Sequence, residues 1–277
     1  MQLQHKTIGK CIYCRATDDL TDEHIIPLSL NGYIILKDAS CRECSRKTSA
    51  FETHVTRDSM RPVRAMMGLK TRRKKERPKQ LPVAVERGGQ RVIEMVPVED
   101  YVGILPYVER GMPGYLAHRP HPQGLPADYV AVGAKSVFRT TDEHLALAQK
   151  LSTEYLAIDF PFQPKEFGRM IAKIAYCAAV STIGLNQWEE VFVLPAILGE
   201  RDDIWQWVGS EGKISPDLIA RPKHGSHHVV KFWVNRGHVL VHVQLFGNAG
   251  TPEYLVVVGR ITEALRGFFV STGVTNA

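Results

Sequence analysis

The sequence predicts an α+β protein that consists of a small N-terminal module and a larger mixed α+β domain. Cysteine and histidine concentrate in the first 58 residues, which contain few long apolar elements. A basic run follows, and both helical and strand-like patterns occur beyond residue 83. Because a segment with so small an apolar core needs a bound metal to fold, we expect a metal-bound module at 1–58. A basic connector at 59–82 and the α+β domain at 83–277 would complete the chain.

The length and composition are those of a globular protein with two domains. The chain has 277 residues, of which 44% are hydrophobic and 23% are charged, and it can bury a sizeable core. It contains no apolar run of the roughly eighteen residues that span a membrane, so we expect no membrane contact. The N-terminus lacks the apolar core of a signal peptide, so we expect a cytoplasmic protein, in which structural disulfides are uncommon.

Four of the five cysteines form two pairs with the same spacing, Cys11-x2-Cys14 and Cys41-x2-Cys44. Each pair places two thiolates on one tight turn, and two such turns form a tetrahedral zinc site. Since four sulfur ligands close the site, we expect this zinc to be structural. Unrelated thiols are the alternative interpretation, and the repeated spacing argues against it. The fifth cysteine, Cys177, lies in an apolar helical stretch, which predicts a small buried side chain.

The segment between the cysteine pairs reads Leu-Thr-Asp-Glu-His-Ile-Ile-Pro-Leu-Ser-Leu-Asn-Gly from residue 20 to residue 32. Together with the pairs on either side, it resembles the HNH endonucleases, in particular the subgroup with a Glu-His-Ile-Ile-Pro core between two zinc knuckles. The resemblance covers about 50 of the 277 residues. It implies the ββα-metal fold, with two strands and a helix around one catalytic divalent ion, and an enzyme that hydrolyses phosphodiester bonds.

Hydrolysis of a phosphodiester requires a base that deprotonates water and a cation that stabilises the leaving oxygen. Imidazole is the natural base at neutral pH, so we predict that His24 is the general base. The resemblance implies a strand twist that turns the adjacent carboxylate toward the ion, so we assign Glu23 as a ligand of catalytic Mg²⁺ or Mn²⁺. Asp22 is a weaker candidate for this ligand. A histidine that only hydrogen-bonds the hairpin backbone is the alternative for His24.

The second half of the predicted ion site departs from the family pattern. The family usually has asparagine immediately after the last knuckle cysteine, whereas this chain has Ser45, a poor ligand for a divalent ion. On a helix that begins near Cys44, Glu52 lies about two turns beyond Ser45 on the same face, and His54 is rotated away. We therefore predict Glu52 as the second ligand, with a solvated helix residue as the alternative. We expect His54 to lie at the surface or to contact DNA.

The positive charge of the chain is concentrated in residues 61–79. This stretch holds five arginines, four lysines and one acidic residue, so its net charge is +8. The net charge of the whole chain is +6, so the rest of the chain carries −2. A local basic patch is typical of a surface that binds a polyanion. We expect a helix that continues as an extended arm after Gly68, with a solvated linker as the alternative. The predicted DNA-binding residues are Arg61, Arg64, Arg72, Arg73, Lys74 and Lys75.

Beyond the connector, apolar periodicity and turn residues predict the remaining elements. The predicted strands are 82–86, 91–96, 129–133 and 253–260, with a hairpin of 228–235 and 238–246. The predicted helices are Thr141–Lys150 and 164–184. A second metal site built from C-terminal histidines is an alternative that their spacing does not support; these residues are His224, His227, His228, His238 and His242.

These features together predict a divalent-metal-dependent endonuclease that cuts double-stranded DNA rather than RNA, and genome or phage defence is the expected role. The alternative is a non-catalytic, zinc-dependent nucleic-acid-binding protein that acts as a regulator or adaptor, and Ser45 is its best evidence. A third hypothesis is an interaction protein in which the zinc module only supports the C-terminal domain. That domain could sense a regulatory ligand, confer specificity or form a homo-oligomer.

Overall fold

The computed structural model describes residues 5–71, 75, 77–117, 129–137, 141–154, 156–159, 161–211 and 228–271. Helices and strands alternate in these ranges, which confirms the predicted α+β class. In the first half of the chain the elements are β1 (Lys6–Thr7), β2 (Leu20–His24), β3 (Ile35–Cys41), α1 (Arg42–Thr53), a π-helical segment (His54–Ser59), α2 (Arg61–Met66), β4 (Gln80–Arg87), β5 (Gln90–Pro97), β6 (Gly103–Glu109), α3 (Gly114–Ala117) and β7 (Ala131–Val137).

The second half of the chain contains the longest helix and the largest sheet. Its elements are α4 (Thr141–Lys150), β8 (Leu156–Ala157), α5 (Pro164–Ile183), β9 (Trp188–Val191), α6 (Leu194–Ile197), α7 (Ile204–Trp207), β10 (Val208–Glu211), β11 (Val229–Asn235), β12 (His238–Gln244), β13 (Glu253–Ile261) and α8 (Glu263–Ser271). Among the described residues, no helix is long and apolar enough to cross a membrane.

The N-terminal module contains the two strands and the helix that the resemblance implied. Strand β2 pairs antiparallel with β3, and the short β1 pairs parallel with the other edge of β3. Helix α1 follows β3 without a loop, so it begins at Arg42, slightly earlier than the sequence predicted. Gly32 closes the β2–β3 connection, where a Cβ atom would lie 1.8 Å from the backbone oxygen of Ile26. Only glycine permits this close approach of two backbones.

Two small sheets cover the middle of the chain. The first has the strand order β5-β4-β8, and the second pairs β6 with β7. The predicted strands at 82–86 and 91–96 are present as β4 and β5, and the strand predicted at 129–133 begins at Ala131 as β7. Strand β6 was not predicted, because Pro106 interrupts its pattern. A two-stranded ribbon tolerates this proline because both of its strands are edges.

Helix α5 packs between the N-terminal module and the largest sheet. That sheet has the order β10-β13-β12-β11. Strand β9 pairs with the C-terminal end of β13, on the edge where β10 pairs with its N-terminal end. Helix α5 contacts α1 on one side and β12 and β13 on the other, and every residue from Met170 to Val180 is buried. A helix that is apolar on all sides is buried on all sides, which explains why the sequence predicted α5 so well. Gly184 ends it with φ +90°.

One hydrophobic core joins the module to the C-terminal part of the chain. The same cluster of buried side chains includes Ile12 and Phe51 of the module, Ile174 of α5 and Val241 of the large sheet. Hydrogen bonds reinforce the junction: the Tyr176 hydroxyl donates to the backbone oxygen of Ile12 at 2.5 Å. The module therefore packs as part of a larger body through α5.

Candidate active site

The four paired cysteines converge at the point where β3 meets α1. Their sulfur atoms all lie within 4.8 Å of one another, and the Sγ atoms of Cys14 and Cys41 are 3.6 Å apart. Tetrahedral zinc with bonds of about 2.3 Å separates its sulfur ligands by about 3.8 Å. The donor set and its spacing therefore fit zinc. Cys177 lies apart from this cluster, fully buried in α5, as the sequence predicted.

A shift in the β2–β3 pairing sets the directions of the acidic residues before His24. Between Thr21 and Glu23, three residues of β3 lie opposite one residue of β2, and Asp38 in this bulge has φ +50°. Glu23 consequently points inward and is only 6% exposed. Asp22 is exposed, and its carboxylate accepts a hydrogen bond of 3.3 Å from the Asp38 amide. Asp22 and Glu23 therefore lie in different surroundings, one at the surface and one in the interior.

A lysine from helix α5 lies between the two predicted ligands of the catalytic ion. The Nζ atom of Lys173 is 2.6 Å from Glu23 Oε1 and 2.8 Å from Glu52 Oε1. It also donates a hydrogen bond of 2.5 Å to the backbone oxygen of His24. The Lys173 side chain is fully buried, whereas that of Glu52 is 20% exposed. Three elements that are distant in sequence thus meet at one ammonium group.

The neighbouring charges and burial shift the pKa values of Lys173 and Glu52. Burial alone would lower the pKa of the Lys173 ammonium, but Glu23 and Glu52 outweigh burial and raise this pKa above its ordinary range. Burial raises the pKa of Glu52, and the attraction of Lys173 opposes this effect. Lys173 is therefore a cation at neutral pH.

The cluster brings Glu23 and Glu52 together, but around an ammonium group. A divalent ion bound to both carboxylates would lie close to the Lys173 Nζ atom. At a separation of about 4 Å and an effective dielectric constant of about 20, a dication and an ammonium group repel by roughly 8 kcal/mol. These residues, as arranged, do not fit the predicted Mg²⁺ or Mn²⁺.

Lys173 is the residue of this cluster that the sequence interpretation missed. The available signal was a lysine inside the apolar run of residues 170–180. Lysine is almost never fully buried without a partner of opposite charge. A buried lysine in so apolar a helix therefore predicts acidic partners, although the sequence does not say which ones.

The remaining residues of the predicted site lie around the end of β2 and along the helix. His24 is partly exposed as the last residue of β2. Ser45 lies in α1 and is partly exposed. His54 is exposed in the π-helical segment, where its Nδ1 atom is 3.2 Å from Asp58 Oδ2. The structure therefore places His54 at the surface, away from the Lys173 cluster that Glu52 contacts.

The predicted DNA-binding residues divide into different environments. Arg61 and Lys75 are exposed, whereas Arg64 is partly buried. Its guanidinium donates hydrogen bonds of 2.9 Å to the backbone oxygens of Ser29 and Thr56. Arg64 therefore ties α2 to the β2–β3 connection, and burial lowers its pKa. Arg72, Arg73 and Lys74 lie outside the described residues.

The C-terminal histidines that the structure describes have separate partners. The Nδ1 atom of His228 accepts a hydrogen bond from the Phe246 amide at 3.1 Å, so its Nε2 atom carries the proton. That atom donates to the Leu30 backbone oxygen at 2.7 Å and connects the large sheet to the module. His238 contacts the Tyr115 hydroxyl at 2.9 Å, and His242 lies 3.4 Å from the Glu253 carboxylate. His224 and His227 lie outside the described residues.

Comparison with known proteins identifies the N-terminal segment alone. Residues 11–59 match the family model described as HNH endonuclease. No curated protein and no solved structure matches the chain. The match covers both cysteine pairs, the Glu-His-Ile-Ile-Pro core and helix α1. Residues 11–59 are therefore similar to the HNH endonucleases, as the sequence predicted, and carry a cluster of four cysteines consistent with a zinc knuckle.

Proposed function

We propose that this protein is an endonuclease that hydrolyses phosphodiester bonds of DNA, with His24 as the general base. The observation that carries the proposal is the position of His24: it is partly exposed at the end of β2, within the segment that matches the HNH endonucleases. A base must reach both water and substrate, and the adjacent Glu23 side chain is nearly buried whereas His24 is partly exposed. His24 is thus the best-placed group for the proton transfer.

Zinc bound to the four cysteines would support this site without taking part in the chemistry. Cys41 directly precedes α1 and Cys44 lies in its first turn, so a zinc ion there holds the start of the helix against the loop that carries Cys11 and Cys14. A site closed by four sulfurs has no open position for water or substrate. Its contribution is the rigid placement of β2, β3 and α1.

Double-stranded DNA is the proposed substrate, and exposed basic residues next to the site are the proposed phosphate contacts. Arg57 and Arg61 are exposed just beyond α1, and Lys75 is exposed further along the connector. Contacts of this kind position a duplex without reading its sequence. The affinity should therefore fall as salt concentration rises, because phosphate binding releases counterions.

A non-catalytic, zinc-dependent nucleic-acid-binding protein is the second candidate, and a specific observation favours it. Lys173 lies where the predicted catalytic ion would bind, and Ser45 is a poor ligand for such an ion. A segment with this arrangement could keep its fold and its DNA affinity without cleaving the backbone. The two candidates make opposite predictions for a cleavage assay.

The test of the proposal is cleavage of supercoiled plasmid by the zinc-loaded full-length protein, measured with and without Mg²⁺ or Mn²⁺. Removal of a positioned base typically lowers the rate about 10²- to 10⁴-fold, so His24→Ala should lose cleavage while it keeps its zinc content and DNA affinity. His54→Ala is the matched control, since His54 is exposed in the neighbouring π-helical segment, and it should cut like the parent.

Equal cleavage by His24→Ala and the parent would reject His24 as the base. DNA binding with no cleavage under any of these conditions would select the non-catalytic candidate.

A further inference from the structure

We infer that Lys173 takes the place of a divalent ion in this HNH segment, so that its ammonium group holds Glu23, Glu52 and the His24 backbone together. The inference concerns the site of the proposed endonuclease. Only the positioning of His24 for catalysis rests on that proposed function. Lys173 belongs to α5, outside the residues that match the family. The C-terminal part of the chain thus supplies the cation of the N-terminal site.

Three oxygen atoms lie within 2.8 Å of the Lys173 ammonium group. A lysine ammonium has three N–H donors and no acceptor. Its Nζ atom is 2.6 Å from Glu23 Oε1, 2.8 Å from Glu52 Oε1 and 2.5 Å from the His24 backbone oxygen. Two of these oxygens carry the negative charge that a divalent ion would otherwise balance. The single positive charge of the ammonium balances one of the two carboxylate charges and attracts both side chains.

The position of Lys173 in α5 makes it a permanent part of the site. Its neighbours Ala172 and Ile174 are fully buried, and α5 is packed between α1 and the large sheet. The Lys173 side chain has no exposed surface while α5 is packed against α1. Removal of one partner from a buried ion pair leaves an uncompensated charge, which is strongly destabilising. Lys173 thus differs from a flexible side chain that an arriving ion could displace.

The inference assigns Lys173 a positioning role. Since Lys173 is fully buried, it does not contact DNA. Its hydrogen bond to the His24 backbone oxygen fixes the end of β2, and its ion pair with Glu52 fixes β2 relative to α1. An ion bound between the same carboxylates would hold the same elements. In the proposed endonuclease, His24 is then positioned without a divalent ion between Glu23 and Glu52.

Mn²⁺ binding to the zinc-loaded full-length protein tests the inference without reference to activity. The measurement is electron paramagnetic resonance of free Mn²⁺ during a titration, together with the shift of the melting temperature on Mn²⁺ addition. The parent should show no Mn²⁺ binding that depends on Glu52. Lys173→Ala removes the ammonium and opens space, so it should bind one Mn²⁺ at least about tenfold more tightly than the parent and be stabilised by it. Lys173→Ala combined with Glu52→Gln should lose this binding.

The outcomes separate the inference from its alternatives. Mn²⁺ binding by the parent that Glu52→Gln abolishes would overturn the inference, and this result does not require the Lys173→Ala protein to fold. A folded Lys173→Ala protein that does not bind Mn²⁺ would overturn it as well, because the carboxylates would then not form an ion site. A chain that never cuts DNA but gives the expected Mn²⁺ results would reject the endonuclease and support the role of Lys173.

Discussion

Solvent reaches His24 and its charged neighbours to different degrees. His24 is partly exposed, Glu23 is 6% exposed and Lys173 is fully buried. A group that transfers a proton to or from substrate must be accessible, whereas charges beneath it can only orient and stabilise. The partly exposed His24 and the buried ion pairs thus have different proposed tasks: His24 would perform the chemistry, and Glu23, Glu52 and Lys173 would hold it in place.

Gly32 provides a test of the backbone packing that supports His24. Gly32→Ala should lower the free energy of unfolding by about 3 kcal/mol, at the upper end of overpacking effects, because the added Cβ atom would lie 1.8 Å from the Ile26 backbone oxygen. Chemical denaturation measures this change. Gly267→Ala is the control, since a Cβ atom there meets nothing within 4 Å and alanine favours helix α8; it should be neutral or slightly stabilising. Equal stability of Gly32→Ala and the parent would contradict the close approach.

At the scale of elements, the helical stretch after β3 serves both the fold and the proposed DNA surface. Helix α1 continues through the π-helical segment to α2, where Arg61 is exposed and Arg64 is tied to backbone oxygens of the module. Both arginines were predicted to bind DNA from the same basic run. The structure gives them different surroundings, so substitutions at these two positions should have different effects.

Arg64→Ala should lower the free energy of unfolding by about 2 kcal/mol, because it removes charged hydrogen bonds to partly buried backbone oxygens. Arg61→Ala should leave stability within about 0.5 kcal/mol of the parent. It should weaken DNA binding and reduce the slope of log affinity against log salt by about one. Denaturation and fluorescence-anisotropy titrations at several salt concentrations measure both properties. A stable Arg64→Ala protein with weakened DNA binding would show that Arg64 acts mainly on DNA.

The sequence predicted the elements that have a clear local pattern of apolar and turn residues. The hairpin of β11 and β12 follows from alternating apolar residues around a turn in which Arg236 and Gly237 both have positive φ, as a two-residue hairpin turn requires. Helix α5 follows from its apolar periodicity. Strand β6 was missed because Pro106 breaks the pattern of a strand, and the short helices α6 and α7 contain too few residues for periodicity to show.

The part of the candidate site that could be predicted is the part whose residues lie close together in sequence. The cysteine spacing and the residues around His24 lie within one continuous segment, so they could be recognised together. Lys173 could not be paired with Glu23 and Glu52 in this way, because 150 and 121 residues separate it from them in sequence. Only the packing of α5 against α1 brings these charges together.

At the scale of the whole molecule, α5 couples the N-terminal module to the large sheet. It contributes Lys173 to the site and Tyr176 to the Ile12 backbone, and its other side packs on β12 and β13. The His228 hydrogen bond to the Leu30 oxygen provides a second connection between sheet and module. Loss of structure in the module should therefore lower the stability of the rest of the chain.

Cys14→Ser tests this coupling, since Cys14 is exposed and contributes little to apolar packing. We expect the zinc content to fall from one ion per chain and the free energy of unfolding to fall by about 4–5 kcal/mol or more, as is typical for loss of a structural metal. Plasma mass spectrometry and denaturation followed by near-ultraviolet circular dichroism measure both. Cys177→Ala, which changes the cysteine outside the cluster, should keep its zinc. A zinc-free Cys14→Ser protein with parental stability would show that the module does not support the rest.

The most direct measurement of the central claim is chemical rescue of His24→Ala in the plasmid-cleavage assay. If the missing function is proton transfer by the imidazole, added imidazole should restore part of the cleavage rate of His24→Ala, with no effect on the parent. The zinc content and the DNA affinity of the variant must match the parent at the same time. Cleavage by His24→Ala at the parental rate without imidazole would contradict the account, because His24 would then not be the general base.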